Sequence, residues 1–314
     1  MRLPKQLQLA QLVDEAPTGD EWLHEQKFDG YRILAELDHR KVRLLSRRFN
    51  DWTAQFPSVA DAVAALPATQ ALIDGEVAVV EADGRTSFQA LQNAFGRRDA
   101  NIVYFAFDLL ALDGKDLTRL PLVERKALLE KLVGKPDTVR YSDHVVGNGS
   151  AFFKLACKRG LEGIVSKRSD QPYTPGRGNG WRKTKCLLRQ EFVIAGYTDP
   201  EGARTHIGAL LVGYYEGGKL TYGGKVGTGF KMKDLVDLKR ALTPIEVAKA
   251  PFAPEPPRAW TGPNRHWVTP ILVCEVAFSE WTNDGRLRHP SFQGLRSDKP
   301  AAEITRERAI HVNR

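Results

Sequence analysis

The pattern of apolar residues changes near Arg189, and this change limits the possible folds of the chain more than any other sequence feature. Before it, apolar runs such as residues 31–37 alternate with stretches of helical spacing such as residues 121–132, which predicts strands mixed with short helices. After it, short apolar runs dominate, and one helical segment over residues 231–242 interrupts them. A length of 314 residues suits two domains. We therefore predict one domain over residues 1–188 and a second over residues 189–314.

The first domain is predicted to build a hairpin early in the chain. Residues 31–37 and 42–46 are apolar runs joined by a short polar segment, which indicates two paired strands. Further strands are predicted over residues 71–80, 102–110 and 161–167, a second helix over residues 150–159, a turn at Asp83-Gly84, and a loop over residues 171–180.

The second domain is predicted to be a small barrel. Strands are expected over residues 192–197, 207–215, 219–226 and 271–278, with a proline-rich connection before the last. Four or five strands and one helix in about 120 residues fit a Greek-key barrel of the OB type.

The charge of the chain suits a polyanionic partner. The net charge is +8, and between Lys154 and Arg189 there are ten lysines and arginines but only two acidic residues, Glu162 and Asp170. A solvated basic face would give the same composition, so charge alone does not identify a nucleic-acid-binding protein. The residue types inside this stretch favour the functional interpretation.

The remaining composition predicts an intracellular protein without a metal-binding cysteine cluster. No segment approaches the ~20 consecutive apolar residues of a membrane span, and the N-terminus lacks the apolar stretch of a secretory signal. We therefore expect a cytoplasmic protein with no membrane contact. The cysteines Cys157, Cys186 and Cys274 are few and widely separated, so three reduced thiols are expected rather than a zinc finger or a disulfide framework.

One short string concentrates reactive residue types directly before a predicted strand. Lys27-Phe28-Asp29-Gly30-Tyr31-Arg32 combines a lysine, an acid, a glycine and an arginine within six residues. A charged loop that ends in a glycine turn would explain the string equally well if it stood alone.

This string resembles motif I of the covalent nucleotidyltransferases, which include DNA ligases, RNA ligases and mRNA capping enzymes. Strings that resemble the later motifs follow in the same order. They are Ser46-Arg47-Arg48, Asp74-Gly75-Glu76, Phe105-Ala106-Phe107-Asp108, Glu162-Gly163-Ile164-Val165-Ser166-Lys167, Trp181-Arg182-Lys183-Thr184-Lys185 and Arg296-Ser297-Asp298-Lys299.

The resemblance is most specific to the ligase module of bacterial ligase D, a family that acts in non-homologous end joining with the Ku protein. The strings Phe-Asp-Gly-Tyr-Arg and Phe-Asp-Leu-Leu, and the segment from Trp281 to Phe292, carry it. It implies an α+β fold: an ATP-grasp-like nucleotidyltransferase domain with mainly antiparallel sheets, followed by an OB-fold β-barrel. It implies an ATP-dependent DNA ligase that uses Mg²⁺ (or Mn²⁺).

The resemblance also assigns chemistry to single residues. Lys27 is expected to attack the α-phosphorus of ATP and to carry the adenylate, for which its amine must be neutral. Nearby cations, namely Lys183, Lys185 and Mg²⁺, are expected to lower its pKa from ~10.4. Lys183 and Lys185 alternate on a predicted strand, point to one face and, by resemblance, hold the α-phosphate.

Further roles follow from the same resemblance. Glu162 and Glu76 are expected to bind the metal, Glu76 alternatively the ribose. Phe107 is expected to stack on adenine, although its apolar surroundings also fit a core residue. The remaining assignments are Glu25 at the adenine amino group, through its side chain or its backbone, and Asp29 at the break or in the later steps. Arg32 and Arg47 are assigned to the 5′-phosphate. Arg296, Asp298 and Lys299 are assigned as a group on the second domain that orients the leaving pyrophosphate.

Three alternatives remain open at this point. Within enzymes, the sequence also fits an RNA ligase or a capping guanylyltransferase. In a different class, a basic groove with an OB barrel fits a DNA-binding module without catalysis. For the ligase, the expected partners are nicked or broken double-stranded DNA, with Ku and a repair polymerase as further candidates, and the expected state is a monomer.

Overall fold

The computed structural model describes residues 3–82, 84–97, 100–135, 137–186, 188–200 and 205–309. These residues form two compact units. Unit 1 comprises the described part of Met1–Cys186 together with Ala309, and unit 2 the described part of Leu187–Arg308. No helix in the described ranges is long and apolar enough to cross a membrane.

Unit 1 contains two sheets and four α-helices among its described residues. The strands are β1 (Gln8–Leu12), β2 (Trp22–Gln26), β3 (Tyr31–Asp38), β4 (Lys41–Ser46), β5 (Gln70–Val80), β6 (Thr86–Ser87), β7 (Ile102–Leu112), β8 (Lys115–Asp116), β9 (Val139–Tyr141), β10 (His144–Val146), β11 (Gly163–Arg168) and β12 (Gly176–Lys185). The helices are α1 (Pro57–Ala64), α2 (Phe88–Gln92), α3 (Leu122–Val133) and α4 (Gly149–Lys158).

The two sheets of unit 1 are mainly antiparallel. The larger sheet has the order β4-β3-β5-β7-β8, with β6 on β5 and β9 on β7, and the smaller has the order β1-β12-β11-β2-β10. Only the pairs β1–β12 and β7–β9 are parallel within the described residues. The predicted hairpin is confirmed, since β3 pairs with β4 from Ile33↔Ser46 to Asp38↔Lys41.

Strand β3 shows why the larger sheet is buried on both faces. Side chains alternate across a strand. Ile33 and Leu37 contribute to the core cluster that also contains residues of α1, α2 and α3, whereas Leu34 contributes to a second cluster with Phe107 and Trp181. All three β3 residues are fully buried, so both faces of this strand are covered by other parts of unit 1.

Helix α3 is fixed to the larger sheet by a buried ion pair. Arg125 donates to both carboxylate oxygens of Asp108, at 2.7 and 2.8 Å, and neither side chain is exposed. Bidentate geometry of this kind holds a guanidinium and a carboxylate in a defined orientation. The pair therefore fixes the rotation of α3 against β7.

Unit 2 is built on one six-stranded antiparallel sheet. Its elements are β13 (Leu188–Thr198), β14 (Leu210–Glu216), β15 (Lys219–Val226), α5 (Met232–Leu242), β16 (Glu246–Val247), α6 (Arg258–Thr261), β17 (Arg265–Phe278), β18 (Glu280–Trp281), β19 (Leu287–Arg288) and β20 (Ser291–Arg296). The sheet order is β15-β14-β13-β17-β16 with β20 on β17, and β18 pairs with β19 separately. Helix α5 buries Leu235, Leu238 and Leu242 against the core of the unit.

Two predictions about unit 1 are wrong. Strand β12 begins at Gly176, so the second half of the segment predicted as a loop is a strand; its pairing with β1 overrides the weak strand propensity of its glycines. Cys157 and Cys186 form a disulfide, with their Cα atoms 5.2 Å apart, because the end of α4 lies beside the end of β12. Cys274 is a buried free thiol, as expected. Of the predicted turn, Asp83 lies outside the described residues.

Candidate active site

A cavity in unit 1 brings together six of the residues singled out by the sequence. It is lined by Glu25, Lys27, Arg32, Glu76, Phe107 and Lys183, together with Ala10, Gln26, Phe28, Val165, Lys167 and Trp181. Among the described residues, its lining does not include Asp29, Arg47, Glu162 or Lys185.

Three adjacent strands of the smaller sheet position one wall of the cavity. Glu25 on β2 pairs with Val165 on β11, and Val165 pairs with Lys183 on β12. Directly paired residues of antiparallel strands point to the same face of a sheet, so these side chains share the cavity face. Lys27 follows the end of β2, and its backbone N–H donates to the Gly163 carbonyl at 2.9 Å.

The glycine after Lys27 allows the chain to run close to the larger sheet. A Cβ atom at Gly30 would lie 2.1 Å from the Val77 carbonyl oxygen, so a side chain there would clash with backbone. Only glycine fits such an approach without moving a strand. Gly30 therefore places Lys27 at the junction of the two sheets.

The amine of Lys27 forms a close ion pair. Its Nζ donates to Oε2 of Glu162 at 2.6 Å, and the lysine side chain is 22% exposed. Burial lowers the pKa of Lys27, but Glu162, Glu76 and Asp29 together raise it above its ordinary value. The expectation that neighbouring cations lower this pKa is therefore wrong for the charges in the structure, because carboxylates are the closer neighbours.

Asp29, one of the carboxylates near Lys27, is held by hydrogen bonds to other parts of unit 1. Asp29 is largely buried, and its Oδ2 accepts from the Phe88 N–H at 3.4 Å while its own N–H donates to Thr86 Oγ1 at 2.9 Å.

No group of three or more His, Cys, Asp or Glu that could hold a metal ion is found in the described part of the chain. Mg²⁺ at phosphate-binding sites usually takes one or two carboxylates and completes its shell with substrate oxygens and water. Glu162 and Glu76 fit that kind of site.

Arg32 is held by protein groups at the cavity wall. It donates to both oxygens of the fully buried Asp74, at 2.9 and 2.6 Å, and to the Gln8 carbonyl at 2.7 Å. Its guanidinium carbon also lies 5.3 Å from the ring centroids of Phe107 and of Trp181. The structure therefore brings Arg32 to the site with most of its donors engaged.

Phe107 both packs and faces the cavity. Its ring meets Trp181 edge to face, with centroids 5.8 Å apart, and the residue is 9% exposed. The expectation of a core residue is confirmed, because one part of the ring packs in the core, and another part lines the cavity, where stacking on adenine stays a prediction.

The sequence did not single out a buried charge network behind Glu25. The Glu25 carboxylate accepts from Lys126 at 2.8 Å, from Lys167 at 2.9 Å and from Ser142 Oγ at 3.0 Å. Helical spacing could have predicted that Lys126 is buried, because it lies four residues after Leu122 and three before Leu129, on the apolar face of α3. Lys167 ends the string resembling motif IV, but no role was assigned to it.

The predicted site residues of unit 2 form ion pairs within that unit. Arg296 donates to both oxygens of Asp298, at 2.8 and 2.9 Å, and to Glu275 at 3.0 Å, while Lys299 pairs with Glu191. Burial raises the pKa of Asp298, but Arg296 and Lys299 outweigh it and the pKa lies below its ordinary value. Asp298 is therefore ionised and fixes the orientation of Arg296.

Comparisons with known proteins cover both units. Residues 6–185 match a family model described as "ATP dependent DNA ligase domain", and residues 203–299 match one described as "ATP dependent DNA ligase C terminal region". The multifunctional non-homologous end joining protein LigD of Pseudomonas aeruginosa is 45% identical over 307 residues, which is 96% of this chain and 36% of that protein. The corresponding DNA repair protein LigD of Mycobacterium tuberculosis is 40% identical over 292 residues, which is 92% of this chain and 38% of that protein. The chain thus spans less than two fifths of the length of these relatives.

A solved structure agrees over nearly the whole chain. A mycobacterial DNA ligase D complexed with ATP and MES superposes with a TM-score of 0.72 at 37% identity, covering 96% of this chain and 98% of that one.

Proposed function

The chain belongs to the ATP-dependent DNA ligases, and from this premise we propose that it seals 5′-phosphate/3′-hydroxyl breaks in DNA through an adenylate on Lys27. The predicted α+β fold is confirmed: a nucleotidyltransferase domain with mainly antiparallel sheets is followed by an OB-fold domain. The domain bounds 1–188 and 189–314 and the roles of single residues are part of the proposal.

The observation that carries the proposal is the surroundings of the Lys27 amine. Lys27, at the junction of two sheets, lines a cavity that also has cationic side chains and an aromatic ring in its lining. Its amine lies 2.6 Å from the Glu162 carboxylate, which is outside that lining. Such a cavity fits a nucleoside triphosphate with its base on the ring and its α-phosphate beside the amine.

The proposed reaction has three steps. The neutral amine of Lys27 attacks the α-phosphorus of ATP; an N–P bond forms, the bond to pyrophosphate breaks and the amine proton is lost. The AMP then passes to the 5′-phosphate at the break, which frees Lys27. Finally the 3′-hydroxyl attacks that phosphate and AMP leaves. Phosphoryl transfers of this kind depend mostly on positioning and charge neutralisation.

The residues of the cavity supply positioning and charge. Phe107 would stack on adenine and Glu25 would face its amino group. Lys183 and Lys185 would hold the α-phosphate, and Arg32 and Arg47 the 5′-phosphate of the break. Asp29 would act at the break or in the later steps.

Glu162 and Glu76 would hold Mg²⁺ or Mn²⁺, with the remaining ligands from substrate and water. The ion would supply positive charge that offsets the negative charge of the phosphates. A Glu162 carboxylate engaged in this way would no longer stabilise the proton of Lys27. This would remove the largest interaction that raises the pKa of the amine.

Unit 2 would take part in the first step. Arg296, Asp298 and Lys299 would orient the leaving pyrophosphate, which requires domain closure over the nucleotide and opening before DNA enters. The hinge would lie at residues 186–190, of which Leu187 lies outside the described residues.

The biological setting follows from the relatives that are named as end-joining proteins. We propose that the chain acts in double-strand break repair on nicked or broken DNA, with Ku and a repair polymerase as partners. We further propose that it works as a monomer in the cytoplasm, on DNA of the nucleoid.

Sealing of a nicked DNA duplex with ATP and Mg²⁺ tests this function. The wild-type chain is expected to seal the nick, and Lys27→Ala is expected to lose sealing while it still binds DNA in a salt-dependent manner. Parallel reactions with GTP and with nicked RNA separate the capping enzyme and RNA ligase alternatives. Sealing by Lys27→Ala, or labelling by GTP alone, would contradict the proposal.

A further inference from the structure

We propose that Lys126, which lies outside the motif strings, is a positioning residue that sets the preference for adenine over guanine by holding the Glu25 carboxylate at the base end of the cavity. The inference rests on the proposed function, since it concerns the nucleotide that reaches Lys27. Lys126 belongs to α3, which contributes no cavity-lining residue in the described part of the chain.

Glu25 is a cavity-lining residue, and its carboxylate is buried beside the cavity. The residue is 2% exposed, and its two oxygens accept three hydrogen bonds, from Lys126, Lys167 and Ser142. An isolated buried carboxylate would lose its charge by protonation, because desolvation disfavours the ionised form. The ammonium groups of Lys126 and Lys167 lie within 3 Å of the Glu25 carboxylate and stabilise its ionised form. Burial raises the pKa of Glu25, but the two lysines outweigh this effect, and Glu25 remains an anion.

The two lysines occupy different places. Lys167 belongs to the cavity wall, with its Nζ 4.1 Å from the ring centroid of Phe107 and 4.4 Å from that of Trp181. Lys126 is 1% exposed and lies behind the wall. A bound base can therefore displace or contact Lys167, whereas Lys126 is out of its reach.

Lys126 is itself held on three sides. Besides the bond to Glu25, its Nζ donates to the Ser142 carbonyl at 2.9 Å and lies 4.4 Å from the ring centroid of Tyr141. Because all these partners are buried or partly buried, the ammonium has one orientation, and so has the carboxylate oxygen it binds. Lys126 thus fixes both the charge and the direction of Glu25.

The chemistry of purines turns this fixed charge into selectivity. At the six position adenine carries an amino group, a donor, whereas guanine carries a carbonyl oxygen, an acceptor. An ionised carboxylate can accept from the amino group but repels the carbonyl oxygen. A protonated or reoriented Glu25 would lose this distinction, because a protonated carboxyl can also donate.

Formation of the Lys27 nucleotide adduct from ATP and from GTP tests the inference on the full chain. Lys126→Met keeps the length of the side chain and removes its charge, and Lys126→Arg keeps the charge. Lys131→Met is a matched control on the same helix, since Lys131 is exposed. The readout is the ratio of kcat/KM for ATP to kcat/KM for GTP. A general loss of stability would lower both kcat/KM values equally and leave this ratio unchanged.

The expected result is a fall of about tenfold or more in this ratio for Lys126→Met, carried mainly by a higher KM for ATP, since a hydrogen bond to a charged group is worth about that factor. Lys126→Arg is expected to restore most of the preference, and Lys131→Met to leave it unchanged. Ser142→Ala, which removes a weaker anchor of Glu25, is expected to lower the ratio less, and it provides the test if Lys126→Met does not fold.

An unchanged ATP preference in a folded Lys126→Met protein would overturn the inference. If Lys126→Met does not fold, an unchanged ATP preference in Ser142→Ala would overturn it. This outcome is distinct from failure of the proposed function, in which the wild-type chain forms no adduct with ATP. An adduct in the wild type with unchanged selectivity in the variants would remove the role of Lys126 alone.

Discussion

The Nζ atom of Lys27 lies 2.6 Å from Oε2 of Glu162, so the proposed nucleophile and a proposed metal ligand form one ion pair. The pair stabilises the ammonium form of Lys27, whereas attack on phosphorus requires the amine. Engagement of Glu162 by a metal ion would therefore remove this stabilisation and lower the pKa of Lys27 when the nucleotide is in place. Under this account the resting enzyme keeps its nucleophile protonated.

Lys183 is predicted to contribute charge to adduct formation. It lines the cavity, whereas the neighbouring Arg182 points to the opposite face of β12, with its guanidinium carbon 4.8 Å from the ring centroid of Trp22. Lys183→Ala should lower the rate of Lys27 adenylation by ~10²-fold, in line with the loss of one transition-state contact. Arg182→Ala is the matched control and should change the rate only a few-fold. Equal losses in both variants would show that general basicity, not position, matters.

Arg32 is predicted to stabilise unit 1 as well as to serve the site. Arg32→Ala would leave the fully buried Asp74 without its bidentate partner. Loss of one partner of a buried pair costs about 3–5 kcal/mol, so the denaturant midpoint should fall markedly. Lys41→Ala, at an exposed position on β4, should change stability by less than ~0.5 kcal/mol. A midpoint for Arg32→Ala equal to that of Lys41→Ala would contradict a structural role for the pair.

Nucleotide affinity is predicted to depend on pH near 8. Burial lowers the pKa of Lys167 to about 8, although Glu25 partly offsets this effect. Below pH 8 Lys167 is therefore an ammonium that anchors Glu25. Above pH 8 the amine is neutral, and among the described residues Glu25 then keeps the ion pair with Lys126. Because the pKa lies below its ordinary value, the anchor is lost as pH rises, and ATP affinity should fall by roughly tenfold.

This pH dependence can be measured as the Kd for ATP between pH 6.5 and 9.5, in the Lys27→Ala background so that no adduct forms. Lys167→Arg stays charged throughout this range and should remove the dependence. A Kd that is constant in the Lys27→Ala protein would contradict the prediction, as would an equal pH dependence after Lys167→Arg.

Unit 2 is predicted to act in the first step and not in the last. Asp298→Ala removes one of the carboxylates that hold Arg296, and Lys299→Ala removes an ion-pair partner of Glu191. Each should slow Lys27 adenylation by at least about tenfold and have a smaller effect on sealing of DNA that already carries AMP at the nick. Lys249→Ala, an exposed position of the same unit, serves as the control. Wild-type adenylation rates in both variants would refute domain closure.

Sequence patterns predicted the strands well where an apolar run covers most of the strand. The hairpin of β3 and β4 and strand β7 were predicted from apolar runs, and helix α3 was predicted from helical spacing. The start of β12 was not, because its glycines have low strand propensity and its pairing with β1 depends on residues far away in the chain.

The site was predictable as a set of residues but not as a set of interactions. The order of the motif strings identified Lys27, Glu76, Phe107 and Lys183, which the fold brings to one cavity. The pairing of Lys126 with Glu25 joins residues 101 positions apart, and the disulfide joins the ends of a helix and a strand. Neither leaves a local pattern, since both depend on tertiary packing. The pKa of Lys27 was predicted with the wrong sign because only the cations, and not the nearer carboxylates, could be weighed from motif composition.

Mass spectrometry of the chain after exposure to ATP and Mg²⁺ tests the central claim most directly. We predict a mass gain of one AMP, located by peptide mapping on Lys27, removed by hydroxylamine or acid as expected for an N–P bond, and absent from Lys27→Ala. An intact chain without the added AMP, or an adduct on Lys183 with Lys27 unmodified, would contradict the account.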